Sequence, residues 1–171
     1  MKNSVFLSSI SQISETLCIL LIPFFLKKFG IKKVMLIAFG AWALRFFFLG
    51  AGSPTGFGLV LLILSMIVYG VAFDFFNISG SLFVDKNTDV SIRSSAQGVF
   101  MMMTNGLGAT IGSLCAQAVV NRFVFNPAAA DPSFNVMGGW TTAWYIFAAF
   151  ALVVGILFAF LFKYKHTPEQ N

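Results

Sequence analysis

Five long apolar runs dominate this sequence, and they restrict the chain to folds in which most side chains face something other than water. A helix needs about twenty predominantly apolar residues to cross the roughly 30 Å hydrocarbon core of a bilayer. Inside lipid, each segment must satisfy its own backbone hydrogen bonds, as a helix does. We therefore predict an all-α, polytopic transmembrane helix bundle with five spans. They cover roughly residues 5–26, 33–50, 57–84, 95–120 and 140–162.

The share of charged residues is too low for a water-soluble fold. Charged residues make up 10% of the chain and hydrophobic residues 58%, whereas soluble domains carry about a quarter charged residues. The formal net charge is +5, but the basic residues stand in short clusters between the apolar runs. Such clusters are typical of charges that orient membrane spans, not of a nucleic-acid-binding surface. We expect the lipid bilayer to be a partner and predict no nucleic acid partner.

The placement of lysine and arginine predicts how the spans are oriented. The longest separator, residues 121–139, contains prolines and a Gly-Gly pair, and we predict an irregular loop there. Because basic loops stay in the cytoplasm, we predict that residues 121–139 form an outer loop and that the tail, residues 163–171, is cytoplasmic. The basic residues on the predicted inner side are Lys27, Lys28, Lys32, Lys33, Lys86, Arg93, Lys163 and Lys165, and those on the outer side are Lys2 and Arg122.

This orientation puts the N-terminus outside. The first run contains Gln12 and Glu15 and has no small-residue cleavage site, so it does not match a cleaved signal peptide. A preceding helix is the simplest explanation of an outside N-terminus. We therefore expect the chain to be truncated at its start, with residues 1–171 forming one incomplete transmembrane domain.

No residues in the sequence match a metal site or a catalytic signature. Cys18 and Cys115 fall within apolar runs, which predicts small buried side chains rather than a disulfide framework. The one histidine, His166, is in the tail. Paired histidines for zinc and a glycine-rich phosphate loop are both missing from the sequence. We predict that the protein is not an enzyme and binds no metal, and that any proton relay through the spans uses carboxylates.

Two acidic residues fall within the predicted spans. Glu15 is at the middle of the first span, and Asp74 is about one turn beyond the middle of the third. A charged side chain at the bilayer centre costs roughly 2.5–3.5 kcal/mol, so an acid at this depth indicates function. Gln12 precedes Glu15 by one turn, which puts both on one helix face.

Aromatic and amide side chains accompany Asp74. Tyr69, Phe73 and Asn77 recur at four-residue spacing on the third span. The alternative interpretation is that Glu15 and Asp74 only hydrogen bond neighbouring helices. Two acids at matching depth, each with polar neighbours, favour a functional site instead.

Two further features favour packing or solvation over function. Arg45 is near the outer end of the second span, and we interpret it as a side chain that snorkels to the membrane surface. Gly108 and Gly112 on the fourth span permit close helix approach, a pattern common in membrane helices.

Several runs of the chain resemble the bacterial nucleoside:proton symporters, which belong to the major facilitator superfamily. The runs follow the family's order over nearly the whole chain, and the third-span run is the most specific. They are residues 11–16 (SQISET), 22–25 (IPFF), 66–81 (MIVYGVAFDFFNISGS), 93–98 (RSSAQG), 102–106 (MMTNG) and 162–166 (FKYKH).

The resemblance implies a fold, a site and a partner. The chain would form about the last five of twelve helices, a partial major facilitator C-terminal half whose missing N-terminal half is its partner. A nucleoside would bind between the two halves, in the cytoplasmic (inner) membrane. The residues that match in their motifs, and that the resemblance implies as substrate-binding, are Gln12, Glu15, Tyr69, Phe73 and Asp74. No cofactor is implied. The proton is the coupling ion, with Glu15 and Asp74 as the proton-coupling candidates.

The predicted function is therefore nucleoside transport by proton symport, with this chain a fragment that does not transport alone. The helix before the first span and the whole first half of the family's fold are missing from the chain, and the loop 121–139 is longer than the family pattern suggests. Two alternatives remain open. One is a major facilitator transporter of another polar metabolite, such as a sugar. The other is a non-transporting membrane scaffold subunit.

Overall fold

The computed structural model describes residues 4–164, apart from the side chains of residues 4–8, 10 and 11. Within that range the secondary structure is helical, and four helices are long and apolar enough to cross a membrane. These findings confirm the predicted all-α membrane helix bundle. The residues Lys2, Lys165 and His166 lie outside the described part of the chain. The helices are α1 (Ser4–Ala51), α2 (Phe57–Lys86), α3 (Arg93–Ala130) and α4 (Val136–Leu161).

The structure has four separate long helices where the sequence predicted five spans, because the first two predicted spans, 5–26 and 33–50, are joined in α1. The join is Gly30, the one non-helical residue inside α1, with φ 76° and ψ 166°. Glycine adopts a positive φ without the steric cost of a Cβ, so a single residue can redirect the chain. No polar loop therefore separates the two predicted spans.

The chain folds back at Gly30, so α1 is a hairpin of two legs, residues 4–29 and 31–51. Ser14 Oγ donates to the Ile67 carbonyl at 2.6 Å, and Arg45 Nη1 donates to the Ser65 carbonyl at 3.2 Å. A straight helix would separate Ser14 from Arg45 by about 46 Å. Both instead contact the same turn of α2, which therefore lies against both legs.

The main apolar core lies where the two legs meet α2. Phe75 of α2 is 2% exposed, and its ring centroid lies 5.2 Å from that of Phe25 in the first leg. Close packing of these side chains removes apolar surface from the solvent and fixes α2 against the hairpin. The buried members of the cluster are Cys18, Ile22, Val34, Ala38 and Phe75.

Helix α4 packs on the other side of the second leg. The Phe39 ring lies 5.2 Å from Phe158, and a Cβ placed on Gly155 would be 3.0 Å from the Phe39 Cβ. Lys32 Nζ donates to the Ala159 carbonyl at 2.8 Å, near the end of α4. The second leg is thus sandwiched between α2 and α4.

Helix α3 is longer than the predicted fourth span, and this corrects the predicted outer loop, residues 121–139. Regular α-helical turns over Arg93–Met101, Ala109–Val120 and Asn126–Ala130 alternate with wider π-helical turns over Met102–Gly108 and Asn121–Phe125. The helix continues past residue 120 because its apolar side chains pack on α4, with Val124 fully buried. Pro127 falls in the first turn after a π-helical segment, where a missing N–H is tolerated.

The irregular connection before α4 is confined to residues 131–135. Ser133 donates to Asp131 Oδ1 from its hydroxyl at 2.7 Å and from its backbone N–H at 2.9 Å. These hydrogen bonds hold the pKa of the Asp131 carboxyl below its ordinary value. Asn135 then caps α4, accepting from the Gly138 N–H at 3.1 Å. Two side-chain caps thus define a short turn, and α4 begins at Val136, earlier than predicted.

Candidate functional site

The candidate site forms where the backbones of the first leg and α2 come closest. A Cβ placed on Gly70 would lie 3.0 Å from both the backbone N and the Cα of Glu15, and 3.1 Å from Cys18 Sγ. Only a glycine permits this approach without displacing the first leg. Glu15 is thereby held against α2, one turn from Asp74.

Asp74 is buried next to this contact. Its side chain is 8% exposed, and its Oδ2 has no hydrogen-bond partner in the part of the chain that the structure describes. Glu15 is half-buried, and the two carboxylates are close enough for their charges to interact. The structure therefore brings together the two acids that the sequence analysis singled out. Leaving a buried carboxylate oxygen unpaired is costly, so this position is suited to a ligand that donates a hydrogen bond.

Tyr69 and Phe73 form a stacked pair on α2. Their ring centroids are 5.7 Å apart with an interplanar angle of 25°. Phe73 is 38% exposed and presents a ring face, whereas Tyr69 lies deeper, with its ring 5.9 Å from Trp42 of the second leg. The Tyr69 ring thus packs against Phe73 on its more buried side.

Gln12 and Asn77 lie at the edges of this region. The Gln12 side chain is exposed on the first leg, and the Gln12 backbone carbonyl accepts from Thr16 Oγ1 at 3.0 Å. Asn77 Nδ2 donates to the Phe73 carbonyl at 2.9 Å. Gln12 is therefore on the same leg as Glu15 but is not buried with the acids.

Arg45 belongs to this region, contrary to the interpretation that it snorkels to the membrane surface. Its guanidinium lies 4.2 Å from the centroid of the Tyr69 ring, and its Nη1 hydrogen bonds the Ser65 carbonyl. Its charge also interacts with that of Glu15. Nothing in the sequence around Arg45 pointed to this position, because its partner Tyr69 lies on a different helix.

A comparison with protein families matches residues 1–167 to the family described as nucleoside H+ symporter. Among curated proteins, the chain is similar to the nucleoside permease NupG of Escherichia coli K12, with 52% identity over 165 residues. It is 51% identical over 169 residues to the xanthosine permease of the same organism. The matches cover 96% and 99% of this chain but 37% and 38% of those proteins.

A solved structure of NupG has the same fold over the matched region. The TM-score to the crystal structure of nucleoside transporter NupG is 0.80 at 52% sequence identity, covering 94% of this chain and 37% of that one. The chain thus spans well under half the length of these relatives. The relatives are transporters, which confirms the predicted resemblance and the prediction that the protein is not an enzyme. Because the family model matches nearly the whole sequence, the chain belongs to the nucleoside H+ symporter family.

Proposed function

We propose that this chain forms one wall of the substrate pathway of a proton-driven nucleoside transporter. The observation that carries the proposal is the environment of Asp74, a buried carboxylate in a membrane-crossing helix with Oδ2 unpaired among the described residues. Intramembrane acids typically line substrate or ion pathways. A ribose hydroxyl supplies the hydrogen-bond donor that this oxygen lacks.

The side chains around Asp74 suit both parts of a nucleoside. The carboxylates of Glu15 and Asp74 accept hydrogen bonds from ribose hydroxyls. Phe73, which is 38% exposed, offers a flat apolar face to the base. The exposed Gln12 amide both donates and accepts, so it suits a hydroxyl or a base edge. Tyr69 positions Phe73 through the ring stack.

Proton coupling is assigned to Glu15 and Asp74 as a pair. Symport requires a group in the pathway that alternately takes up and releases a proton, and a carboxylate does so. The two acids lie one turn apart where Gly70 brings the first leg against α2, so the role is assigned to the pair and not to either acid alone. No other cofactor is needed for this chemistry.

The basic end of the bundle supports an orientation with the C-terminus in the cytoplasm. Lys32 bonds the Ala159 carbonyl at 2.8 Å, and the Phe83 ring lies 5.0 Å from that of Phe162. The Gly30 bend, the end of α2 and the end of α4 are therefore at one end of the bundle, together with most of the described lysines. Basic loops face the cytoplasm in the inner membrane.

The opposite wall of the pathway is proposed to come from outside this chain. The relatives are more than twice its length, and major facilitator transporters enclose their substrate between two halves. The most exposed site groups, Gln12 and Phe73, would face that second wall.

The test is a chimera in which this chain replaces the matching stretch of E. coli NupG, expressed in cells lacking other nucleoside carriers. Accumulation of labelled uridine should reach the level of the NupG parent and collapse when a protonophore is added. A chimera present in the membrane at the parent's level that accumulates no uridine would refute the proposed substrate. Uptake indifferent to the protonophore would refute the proposed coupling.

A further inference from the structure

A pocket of about 460 Å³ lies between α2 and α3, separate from the acid pair. Its polar side chains are Asn77, Ser81 and Asp85 from α2 and Gln97 from α3, and apolar residues, including Ile78 and Met101, complete its lining. The volume is within the range of about 300–1,000 Å³ that small-molecule sites occupy. The surface of the pocket is mostly apolar, and these four polar side chains are set into it.

The pocket continues the candidate site toward the basic end of the bundle. Asn77, Ser81 and Asp85 recur at four-residue spacing, so they follow one side of α2. Asn77 is the first residue of this row, and its Nδ2 donates to the Phe73 carbonyl at 2.9 Å. Asp85, the last, lies about 17 Å beyond Asp74 along the helix axis. A molecule leaving Phe73 along this side of α2 would therefore meet the pocket next.

Two interhelical contacts hold the polar groups of the pocket in place. Ser81 Oγ donates to Gln97 Oε1, and Gln97 Nε2 donates to the Ser81 carbonyl, both at 2.7 Å. Arg93 Nε lies 3.1 Å from Asp85 Oδ1. These contacts join α2 and α3 at two positions along their length. The pocket is therefore preorganised, which lowers the entropic cost of binding a ligand.

These groups keep hydrogen-bonding capacity that the two contacts do not use. An amide side chain has two N–H donors and two oxygen lone pairs, and the reciprocal bonds with Ser81 employ one of each on Gln97. The Asp85–Arg93 ion pair engages Asp85 Oδ1, which leaves Oδ2 to accept from a hydroxyl. An amide edge, a carboxylate and an apolar wall form a site for a neutral, hydroxyl-rich ligand with a flat ring.

We propose that the pocket between α2 and α3 is a second, weaker nucleoside-binding station, occupied after the substrate leaves the Glu15–Asp74 region. This proposal rests on the proposed function, since it takes the nucleoside as its ligand. The ion pair of Asp85 and Arg93 lies at the end of the pocket farther from the acids. Phe73 is one turn before Asn77, the first residue of the pocket, so one substrate can pass between two stations along a single helix.

The experiment uses the chain itself in lipid nanodiscs, since every polar group of the pocket belongs to it. Met101→Cys is introduced into a variant that lacks the native cysteines (Cys18→Ala, Cys115→Ala). The rate at which a maleimide labels the new cysteine is then measured as a function of uridine concentration. Uridine at ten times the pocket's Kd should slow labelling about tenfold, because only the unoccupied fraction reacts. Protection should persist with Asp74→Asn and disappear with Gln97→Leu. Ile78→Cys, on the facing helix, provides a second position in the same pocket.

The matched control is Val99→Cys, an exposed position on α3 that does not line the pocket. Its labelling should not depend on uridine. The proposal is overturned if uridine leaves both pocket cysteines unprotected, or if protection is lost with Asp74→Asn. Neither result bears on uridine uptake by the chimera, so a failed second station is distinguishable from a failed proposed function.

Discussion

The guanidinium of Arg45 lies 4.2 Å from the centroid of the Tyr69 ring, and Tyr69 in turn stacks on Phe73 at 5.7 Å. The three side chains form a row from the second leg of α1, across α2, to the exposed face of Phe73. A cation over an aromatic face is worth about 0.5–2 kcal/mol, more where water is excluded. Arg45 therefore fixes the ring that supports the proposed base platform, although it does not itself contact the acids.

Replacing Arg45 should reduce transport through loss of this support. In the chimera with NupG, Arg45→Met removes both the cation and the hydrogen bond to Ser65, and we expect uridine uptake to fall by about tenfold, equivalent to about 1.4 kcal/mol. Arg45→Lys keeps the charge but not the planar group that stacks on Tyr69, so it should restore only part of the uptake. Equal uptake by both variants and the unmodified chimera would show that Arg45 is not a positioning residue.

Adding one methyl group at Gly70 should destabilise the bundle. A Cβ there would lie 3.0 Å from the backbone of Glu15, so Gly70→Ala must push the first leg from α2, at a cost of about 1–3 kcal/mol. Gly40 is the matched control, because a Cβ at that helical position meets nothing within 4 Å. Gly40→Ala should be neutral or stabilising. Thermal unfolding of the two purified variants measures the difference, and a Tm for Gly70→Ala at or above that of Gly40→Ala would contradict it.

The bend at Gly30 should tolerate no other residue. Its φ of 76° with ψ of 166° falls in a region accessible almost solely to glycine, and a side chain there costs about 1–3 kcal/mol. Asparagine tolerates positive φ mainly near ψ of about 45°, so Gly30→Asn should lower the Tm as much as Gly30→Ala. If Gly30→Asn keeps the Tm of the unmodified protein while Gly30→Ala lowers it, Gly30 adopts an ordinary left-handed turn instead.

Cysteine labelling tests the proposed orientation. Lys33 and Ala129 are both exposed, near the Gly30 bend and the end of α3 respectively. In a Cys18→Ala, Cys115→Ala background, an impermeant maleimide added to intact cells should label Ala129→Cys but not Lys33→Cys until the cells are permeabilised. The reverse pattern would place the basic end outside and refute the proposed cytoplasmic C-terminus.

Hydrophobic patterning predicted the helical bundle because length and apolarity suffice to define a membrane helix. It did not predict the continuity of α1, since the lysines on both sides of Gly30 indicated a polar loop where a single glycine makes the bend. It also placed a loop at residues 121–139 from Pro127 and Gly139, although π-helical turns and the burial of Val124 carry α3 to Ala130. At residues 121–130, therefore, tertiary packing overrode a local turn signal.

The acids of the candidate site were predictable, whereas the arginine was not. Glu15 and Asp74 stood out because a carboxylate at mid-span has few structural explanations. Their proximity depends on Gly70, whose role appears only once the two helices are in contact. Arg45 was assigned to the membrane surface because it is near the outer end of its predicted span. Its contact with Tyr69 joins two helices, and such pairings are not visible in one sequence.

The last prediction is that Glu15 and Asp74 couple nucleoside movement to the proton gradient. Glu15→Gln and Asp74→Asn keep the size of each side chain but remove its charge and its ability to exchange a proton. Each should therefore lower uridine accumulation in the chimera by about tenfold or more, because a hydrogen bond to a charged group contributes about 1.5–3 kcal/mol. Exchange of labelled for unlabelled uridine across a membrane without a pH gradient should be reduced much less in at least one variant.

The measurement that separates coupling from stability is the pH profile of uptake at matched amounts of protein in the membrane. If the acids only pack the helices, the variants should lose protein first, and the surviving molecules should keep the profile of the unmodified chimera. If the acids couple transport, protein amounts stay near normal and the dependence of uptake on the inward proton gradient is lost. Unchanged accumulation and an unchanged pH profile in both variants would remove Glu15 and Asp74 from the mechanism.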